Sequence, residues 1–256
     1  MLHHKTFGEG PALVILHGLF GMLDNWQTLA RKWADRHRVV LLDLRNHGRS
    51  PHEPEMDYSL MARDVAETLE ALEVDVCDLL GHSMGGKVAM QLALDYPELV
   101  RKLIVVDIAP RRYAPGHTTI FAALEALDPA TVTDRKEAAA QMTDYVSDPG
   151  IQLFLLKNLT RRLEGGFRWR MNLPVIAAHY DKLIGPVGNL GDSFPGPTLF
   201  IRGGNSGYVK DEDLDFIRAL FPAADLITVV GAGHWVHAER PKQLMDTVNE
   251  FLLAYR

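Results

Sequence analysis

The sequence predicts an α/β fold with a mostly parallel central sheet, flanking helices and an inserted helical cap. Short apolar runs alternate with longer helical patterns along most of the chain, as in βαβ units. The runs are continuously apolar, which is typical of strands that are covered on both faces. Between about residues 109 and 197 the alternation stops and no strand pattern is visible. At 256 residues, the chain fits one such domain with an insertion.

Six apolar runs predict the strands of the central sheet. They are rich in leucine and β-branched residues: Ala12–Leu16, Val39–Leu44, Val76–Leu80, Leu103–Val106, Thr198–Ile201 and Leu226–Val230. Leu2–Phe7 is a weaker run and a candidate for an antiparallel edge strand. These runs predict a sheet whose last two strands follow the cap in the chain.

Three helical patterns flank these strands in the predicted core. Tyr58–Leu72 places apolar residues at helical spacing, with Ser59 as a candidate N-cap. Gly85–Asp95 directly follows a glycine-rich turn. Gln243–Tyr255 is the last predicted helix, and Pro241 lies near its first turn.

Residues 109–190 are predicted to form the helical cap, and residues 1–108 and 191–256 the α/β core. The helical patterns of the cap and the residues that separate them are Thr119–Leu127, Arg135–Ser147 and Ile151–Asn158, with breaks at Pro129, Pro149 and Gly165-Gly166. Some apolar cap residues are candidates for lining a substrate pocket, although residues at helical spacing more often make ordinary core contacts. These candidates are Phe121, Leu124, Phe154 and Leu155.

Charge also distinguishes the cap from the rest of the chain. The chain carries 27 Lys and Arg against 33 Asp and Glu, so its net charge of −6 gives no electrostatic reason to expect nucleic-acid binding. The cap has a small positive excess that includes Arg111, Arg112, Arg161, Arg162, Arg168 and Arg170. These arginines form either a solvated helical surface or a docking site for an anionic substrate tail.

A cytoplasmic enzyme is expected, as a monomer or a homodimer. Cys77 is the only cysteine, which excludes an intramolecular disulfide, and its apolar neighbours predict a small buried side chain. No apolar run approaches the roughly 18 residues of a membrane span. No secretory signal is visible, because the apolar stretch Pro11–Leu16 is short and is followed at once by His17-Gly18.

The stretch from Leu79 to Gly86 predicts a nucleophile elbow with Ser83 at its tip. An apolar strand leads into Gly81-His82-Ser83-Met84-Gly85, a G-x-S-x-G pattern, and a helix follows. The turn must be tight so that the serine hydroxyl projects above the sheet, and glycines at both ends leave room for it. A glycine-rich turn of this kind can also be purely structural or bind a phosphate. The candidate partners of Ser83 favour nucleophilic catalysis.

An oxyanion hole is predicted from two backbone N–H groups. One belongs to Leu19, in the His17-Gly18-Leu19-Phe20-Gly21 loop after the strand Ala12–Leu16. The other belongs to Met84, directly after the nucleophile. Each such donor lowers the barrier by roughly 3–4 kcal/mol, because it is oriented before charge develops. His17 is expected to support the loop, and Phe20 to contact the substrate.

His234 is the predicted general base. It follows Gly231-Ala232-Gly233 after the last strand, and a loop at the carboxyl end of a parallel strand can reach the elbow serine. His237 lies in the same loop and is expected to be structural. His82 is expected to support the site, because neighbouring side chains on a turn point apart.

These motifs resemble the α/β-hydrolase superfamily from end to end. The resemblance rests on HG-x-x-G, GHSMGG and GHW, and more narrowly HGLFG, VDIAP, GGNSGYV and GAGHWVHAERP resemble the YbfF-like bacterial esterases and their mitochondrial abhydrolase relatives. It implies an α/β-hydrolase fold with an inserted cap. Serine at the elbow disfavours haloalkane dehalogenases and epoxide hydrolases, which in these families use an aspartate nucleophile.

The acid of the triad departs from the superfamily pattern. Most members place it just after the strand predicted here at Thr198–Ile201, where this chain has Ser206, whose hydroxyl cannot stabilise an imidazolium as a carboxylate does. Asp107 ends the strand Leu103–Val106 at the same edge of the sheet and is the predicted substitute. Alternatively, it only caps the start of the cap through its own backbone bonds. Asp211 and Asp213 appear in an acidic first turn of a helix and are too far along the chain.

No cofactor is expected. A serine mechanism needs no metal, and no His, Asp or Glu cluster has metal-binding spacing. The glycine-rich pieces lack the spacing of a nucleotide-binding loop. The polar loop Asp43–Ser50 is expected to be structural, as comparable loops are in the superfamily.

The sequence therefore predicts a serine hydrolase that cleaves carboxylic esters or acyl thioesters, acyl-CoA among them, through an acyl-enzyme. Its predicted partner is a small-molecule substrate. A carbon–carbon hydrolase, a lyase or a perhydrolase would use the same triad. A non-catalytic receptor for a small molecule would also retain it. A scaffold protein would need neither the elbow nor the histidine.

Overall fold

A seven-stranded sheet forms the centre of the computed structural model, which describes residues 1–189 and 191–254. The strands are β1 (His4–Phe7), β2 (Ala12–Leu16), β3 (Arg38–Leu42), β4 (Cys77–His82), β5 (Val100–Val106), β6 (Leu159–Arg161), β7 (Phe167–Trp169), β8 (Thr198–Gly203) and β9 (Ala224–Val229). The central sheet has the order β1-β3-β2-β4-β5-β8-β9, and β6 and β7 form a second, two-stranded sheet. All neighbours in the central sheet are parallel except β1 and β3.

The six predicted core strands and the antiparallel edge strand are confirmed, with shifted ends. β4 begins at Cys77 and continues to His82, because its pairing with β5 extends to the His82–Val106 pair. Val76, predicted as the first residue of this strand, lies outside it and is exposed. β4 and β8 therefore extend two residues beyond their predicted ends, whereas β3 ends two residues before its predicted end.

The helices are α1 (Gln27–Trp33), α2 (Tyr58–Ala71), α3 (Met84–Asp95), α4 (Thr118–Ala126), α5 (Arg135–Met142), α6 (Pro149–Leu156), α7 (Leu173–Ala178), α8 (Tyr180–Leu183), α9 (Leu214–Leu220), α10 (Val236–Glu239) and α11 (Pro241–Ala254). The predicted N-cap Ser59 is wrong, because the Asp57 carboxylate accepts the Leu60 N–H and caps α2 instead. The acidic turn Asp211–Asp213 is a 3-10 turn that leads into α9. Tyr255, the predicted last residue of the final helix, lies outside the described residues.

Alternate residues of the strands pack on opposite faces of the sheet. In β2, Val14 and Leu16 pack on the side of α2 and α3, whereas Leu13 and Ile15 face Trp33 and the last helix, α11. Both faces are buried, which explains why the strands are continuously apolar.

The segment between β5 and β8, residues 109–190, is called the cap segment below. It contains helices α4 to α8, but the expectation that it has no strand is wrong, because β6 and β7 form an antiparallel hairpin. Each strand has only three residues, too few to show a periodic pattern. Gly165 and Gly166, predicted as a break between helices, form its turn with φ values of 96° and 69°. Leu190, the last predicted cap residue, lies outside the described residues.

Hydrogen bonds attach the cap segment to the core at several points. The Asn158 amide donates to the Phe20 carbonyl (2.8 Å), which joins the hairpin region to the loop after β2. The Tyr58 hydroxyl of α2 donates to the Leu183 carbonyl (2.5 Å) at the other end of the segment. No helix in residues 1–189 and 191–254 is long and apolar enough to cross a membrane.

Candidate active site

Ser83 lies at the tip of a strained turn between β4 and α3. Its backbone has φ 54° and ψ −122°, a conformation that L-residues rarely adopt. Two close approaches explain the flanking glycines. A Cβ on Gly81 would lie 2.2 Å from the Gly85 carbonyl oxygen, and one on Gly85 would lie 2.4 Å from the His17 carbonyl oxygen. Any larger residue at either position would push the turn apart.

The structure brings the side chains of Ser83, His234 and Asp107 into one hydrogen-bonded chain. His234 Nε2 lies 3.0 Å from Ser83 Oγ, and His234 Nδ1 lies 2.7 Å from Asp107 Oδ2. Asp107 is fully buried, whereas His234 is partly accessible. Because Nδ1–H donates a hydrogen bond to the Asp107 carboxylate, Nε2 carries no proton and can accept the proton of the serine hydroxyl.

Asp107 is held by more than the histidine. Its Oδ1 accepts the Gly203 N–H (2.9 Å), and its Oδ2 accepts the Ser206 hydroxyl (2.5 Å). Ser206 therefore contacts the carboxylate itself, instead of occupying the carboxylate's place beside His234. Asp107 has φ 52°, and this strained backbone directs its side chain toward the end of β8.

The two later acidic candidates are used elsewhere. Asp213 pairs with Arg111 (2.7 Å), and Asp211 pairs with Arg202 (2.7 Å). In the described residues, neither carboxylate accepts a hydrogen bond from His234, which agrees with the prediction that both lie too far along the chain.

Two backbone N–H groups beside Ser83 are available for an oxyanion. Within residues 1–189 and 191–254, the N–H groups of Leu19 and Met84 have no protein acceptor. The next N–H in the loop, that of Phe20, donates to His47 Nε2 (3.2 Å). Met84 is also the first residue of α3, so the positive end of the helix dipole lies at the same place.

Three further histidines support the site and do not contact Ser83 Oγ. His17 donates from Nδ1 to the Gly18 carbonyl (2.8 Å) and accepts the Leu44 N–H at Nε2 (3.0 Å), and burial lowers its pKa to about 4. His82 donates from Nε2 to the His234 carbonyl (2.9 Å), and burial lowers its pKa well below the usual value. His237 stacks on Trp26 with centroids 4.5 Å apart, and burial lowers its pKa to about 3. All three are neutral supports at neutral pH.

The sequence does not point to Tyr208, which stacks on His234. The two rings are 4.0 Å apart and inclined by 21°. Tyr208 follows Ser206 in the loop after β8, so the same loop contacts both Asp107 and His234. An aromatic residue two positions from the expected acid site is the only sequence signal for this contact.

Ser83 lies between two cavities that share Leu19, Ser83 and His117. The larger has a volume of about 370 Å3, and its walls include Tyr58, Met84, Lys87, Arg111, Tyr113 and Tyr208. The smaller has a volume of about 50 Å3, and its walls include Phe20, Ile151, Phe154, Leu155, His234 and Trp235.

The predicted substrate-binding residues Phe20 and Phe154 thus both line the smaller cavity. Of the other apolar cap candidates, Leu155 lines it too, Phe121 packs edge-on against Phe20 (5.3 Å) and Leu124 is a buried core residue.

The six cap arginines that the sequence offers as a docking site for an anionic tail do not all face the active site. Only Arg111 lines a cavity that contains Ser83. Arg112 pairs with Asp181 and Arg162 with Glu164 at the surface. This arrangement favours a solvated surface for most of them. Lys87, which the sequence analysis does not single out, is the buried cation of the larger cavity.

The polar loop after β3 is structural, as predicted. Asp43 accepts the N–H groups of Leu23 (2.7 Å) and Arg49 (2.8 Å), and Arg45 pairs with Asp64 (2.5 Å). These bonds fix the loops beneath Leu19. In the part of the chain that the structure describes, no group of His, Cys, Asp and Glu side chains is arranged to hold a metal ion.

Comparison with known proteins gives similarity over nearly the whole chain. A sequence profile of the alpha/beta hydrolase fold matches residues 11–241. The chain is 45% identical over 250 residues to the Mus musculus protein named sn-1-specific diacylglycerol lipase ABHD11, covering 94% of this chain and 81% of that protein. It is 40% identical over 244 residues to Esterase YbfF of Escherichia coli K12, covering 94% and 92%. Among solved structures, a marine microorganism esterase has a TM-score of 0.95 at 39% identity, covering 98% of each chain.

Proposed function

The chain belongs to the α/β-hydrolase family as a YbfF-like hydrolase of the carboxylesterase type, and we propose that it cleaves carboxylic esters and acyl thioesters by acyl transfer through Ser83. The observation that carries this proposal is the hydrogen-bonded chain from Ser83 Oγ through His234 to Asp107. It lies next to the N–H groups of Leu19 and Met84, which have no acceptor within the described residues. A nucleophile, a base, an orienting acid and an oxyanion hole are the parts that acyl transfer needs.

In the proposed first step, Ser83 Oγ attacks the substrate carbonyl carbon while His234 Nε2 takes the hydroxyl proton. The carbonyl oxygen becomes an oxyanion and accepts the N–H groups of Leu19 and Met84. Asp107 stabilises the imidazolium that forms. When the tetrahedral intermediate collapses, the bond to the leaving group breaks, and the leaving alcohol or thiol takes the proton from His234.

In the second step, water replaces the leaving group. His234 removes a proton from the water as it attacks the acyl-enzyme, and the second tetrahedral intermediate releases the acid and restores Ser83. Thioesters, including acyl-CoA, follow the same path, because a thiol leaves at least as readily as an alcohol. We propose this chemistry for a small-molecule substrate in the cytoplasm, with the chain acting as a monomer or a homodimer.

The direct test is a panel of alkyl esters and acyl-CoA thioesters, with alcohol or thiol release measured for the wild type and Ser83→Ala. We expect Ser83→Ala to lower kcat by about 10⁶, the loss typical of removing a triad serine. The matched control is Ser59→Ala, an exposed serine of α2, which should keep wild-type activity.

Other outcomes of the panel would contradict the proposal. Release of neither alcohol nor thiol from any substrate would reject ester hydrolysis. If a β-diketone were cleaved instead, with loss on Ser83→Ala, the triad would serve carbon–carbon hydrolysis. Covalent labelling of Ser83 by a fluorophosphonate without turnover of any substrate would indicate a receptor.

A further inference from the structure

Lys87 is a buried cation on the wall of the larger cavity. It lies in the first turn of α3, where its N–H donates to the Ser83 carbonyl (3.1 Å). Its side chain is only 1% exposed, although lysine is among the residues that are least often buried. The mechanism proposed above does not use it.

Among the described residues, the ammonium of Lys87 has hydrogen-bond partners but no carboxylate counter-ion. It donates to the backbone carbonyls of Arg111 (2.8 Å) and Gly185, and lies 4.8 Å from the centroid of the Tyr113 ring. Within residues 1–189 and 191–254, no carboxylate forms an ion pair with it, and the carboxylate of Asp213 on the same side pairs with Arg111. An ammonium has three N–H donors, so the two hydrogen bonds leave one available.

The surroundings of Lys87 make its positive charge unfavourable when no anion is bound. Burial lowers the pKa of Lys87 to about 7, and the like charges of Arg111 and Arg112 act in the same direction. A buried charge is normally compensated by an opposite charge. An anion bound in the cavity would supply that compensation.

The cavities suggest which part of the substrate lies beside Lys87. His234 must give its proton to the leaving group, and His234 lines the smaller cavity but not the larger one. The leaving group therefore belongs toward the smaller cavity, and the acyl group toward the larger. The larger cavity also includes both proposed oxyanion donors, Leu19 and Met84.

On the basis of the proposed ester hydrolysis, we propose that Lys87 determines substrate specificity by binding a carboxylate at the far end of the acyl group. Ser83 and Lys87 lie four positions apart in the chain and line the same cavity of about 370 Å3, so one acyl group can extend from one to the other. The preferred substrates are then half-esters or half-thioesters of dicarboxylic acids.

The test compares two esters of equal chain length, ethyl hydrogen glutarate and ethyl pentanoate, by ethanol release. We expect the wild type to prefer the half-ester in kcat/KM. In Lys87→Met, which keeps an apolar stem without the charge, the preference should fall about tenfold or more, the effect of losing a hydrogen bond to a charged group. Lys87→Arg should retain part of it. Lys242→Met, with the same charge change on the exposed face of α11, should leave the preference unchanged.

The ratio of the two substrates separates this proposal from a structural function of Lys87. Arg111 and Gly185 lie near the two ends of the cap segment, so the hydrogen bonds of Lys87 also connect both ends to α3. If Lys87 has only this structural function, its loss would lower kcat/KM equally for both esters and leave their ratio at the wild-type value. That result would overturn the proposal but not the proposed ester hydrolysis. Esters that carry the carboxylate on the alcohol instead of the acyl group are measured as well. A charge preference that appears only with these esters would overturn the assignment of Lys87 to the acyl side.

A measurement on the wild type keeps the proposal testable if Lys87→Met does not fold. Glutarate and pentanoate are compared as inhibitors of ethyl pentanoate hydrolysis. We expect glutarate to inhibit at about tenfold lower concentration, because only it can place a second carboxylate at Lys87. Equal inhibition would overturn the proposal. Failure of the wild type to hydrolyse any ester would instead reject the proposed function.

Discussion

The sheet edge and the cap segment contribute different things to the candidate active site. Ser83, Asp107 and His234 lie at the carboxyl ends of β4, β5 and β9 or in the loops that follow, where parallel strands fix their separation. The cap segment supplies cavity walls, such as Phe154 and Tyr113, but no member of the hydrogen-bonded triad. We propose that the core supplies the reacting groups, whereas the cap segment and core residues such as Lys87 together shape the cavities that select the substrate.

Loss of the Asp107 charge should lower activity more than any change in the cap segment. Asp107→Asn keeps the size of the side chain but removes the charge that orients His234, so we expect kcat to fall by about 10⁴. Ester hydrolysis at constant pH, with folding checked by circular dichroism, measures the loss.

The matched variant is Ser206→Ala, which removes the hydroxyl that contacts the same carboxylate oxygen. Its loss should be much smaller, about tenfold to a hundredfold, the size of one hydrogen bond to a charged group. Near-normal kcat in Asp107→Asn would show that another carboxylate orients His234.

A second prediction concerns acid stability, which should depend on the core histidines. Burial lowers the pKa of His17 to about 4 and lowers the pKa values of His47 and His237 to about 3 each. Because the unfolded chain binds protons near pH 6.5 that the folded chain does not, stability is complete above that pH and falls as the pH decreases toward 4.

Each such histidine contributes a slope of about 1.4 kcal/mol per pH unit within this window. Urea unfolding at about pH 7 and about pH 5.5 should show a decrease of at least about 2 kcal/mol. His47→Gln should make the decrease smaller. A free energy of unfolding that stays constant between the two pH values would contradict the buried neutral state of these histidines.

The smallest predicted effect comes from the cap segment itself. Phe154 lines the smaller cavity and lies 6.0 Å from Trp235, so Phe154→Ala enlarges the space proposed for the leaving group. In Phe154→Ala, we expect kcat/KM for an ester of a bulky alcohol to rise about tenfold relative to that for the ethyl ester. Phe216→Ala, at an exposed position of α9, is the control. An unchanged ratio, or an equal change in both variants, would contradict the division between core and cap segment.

The parts of the site that could be predicted are those that a short stretch of sequence determines. Glycine spacing around Ser83 and His234 depends on backbone geometry within a few residues, so it is visible in the chain itself. Asp107 is predicted because the chain has Ser206 where a carboxylate is expected and Asp107 ends a neighbouring strand.

The contacts that sequence reasoning missed join distant segments or short elements. Tyr208 stacks on a histidine 26 positions later in the chain, and Lys87 bonds to carbonyls at Arg111 and Gly185. The hairpin β6–β7 has too few residues to show a period. These features depend on how the segments pack, which no local pattern encodes.

Whether Ser83 is the nucleophile of an acyl-transfer site can be determined by mapping a covalent label. The protein is treated with a fluorophosphonate, digested and analysed by mass spectrometry. We predict a phosphonyl group on the peptide that contains Ser83, with labelling lost in Ser83→Ala and strongly slowed in Asp107→Asn. Labelling of a different residue, or equal labelling in Ser83→Ala, would contradict the claim.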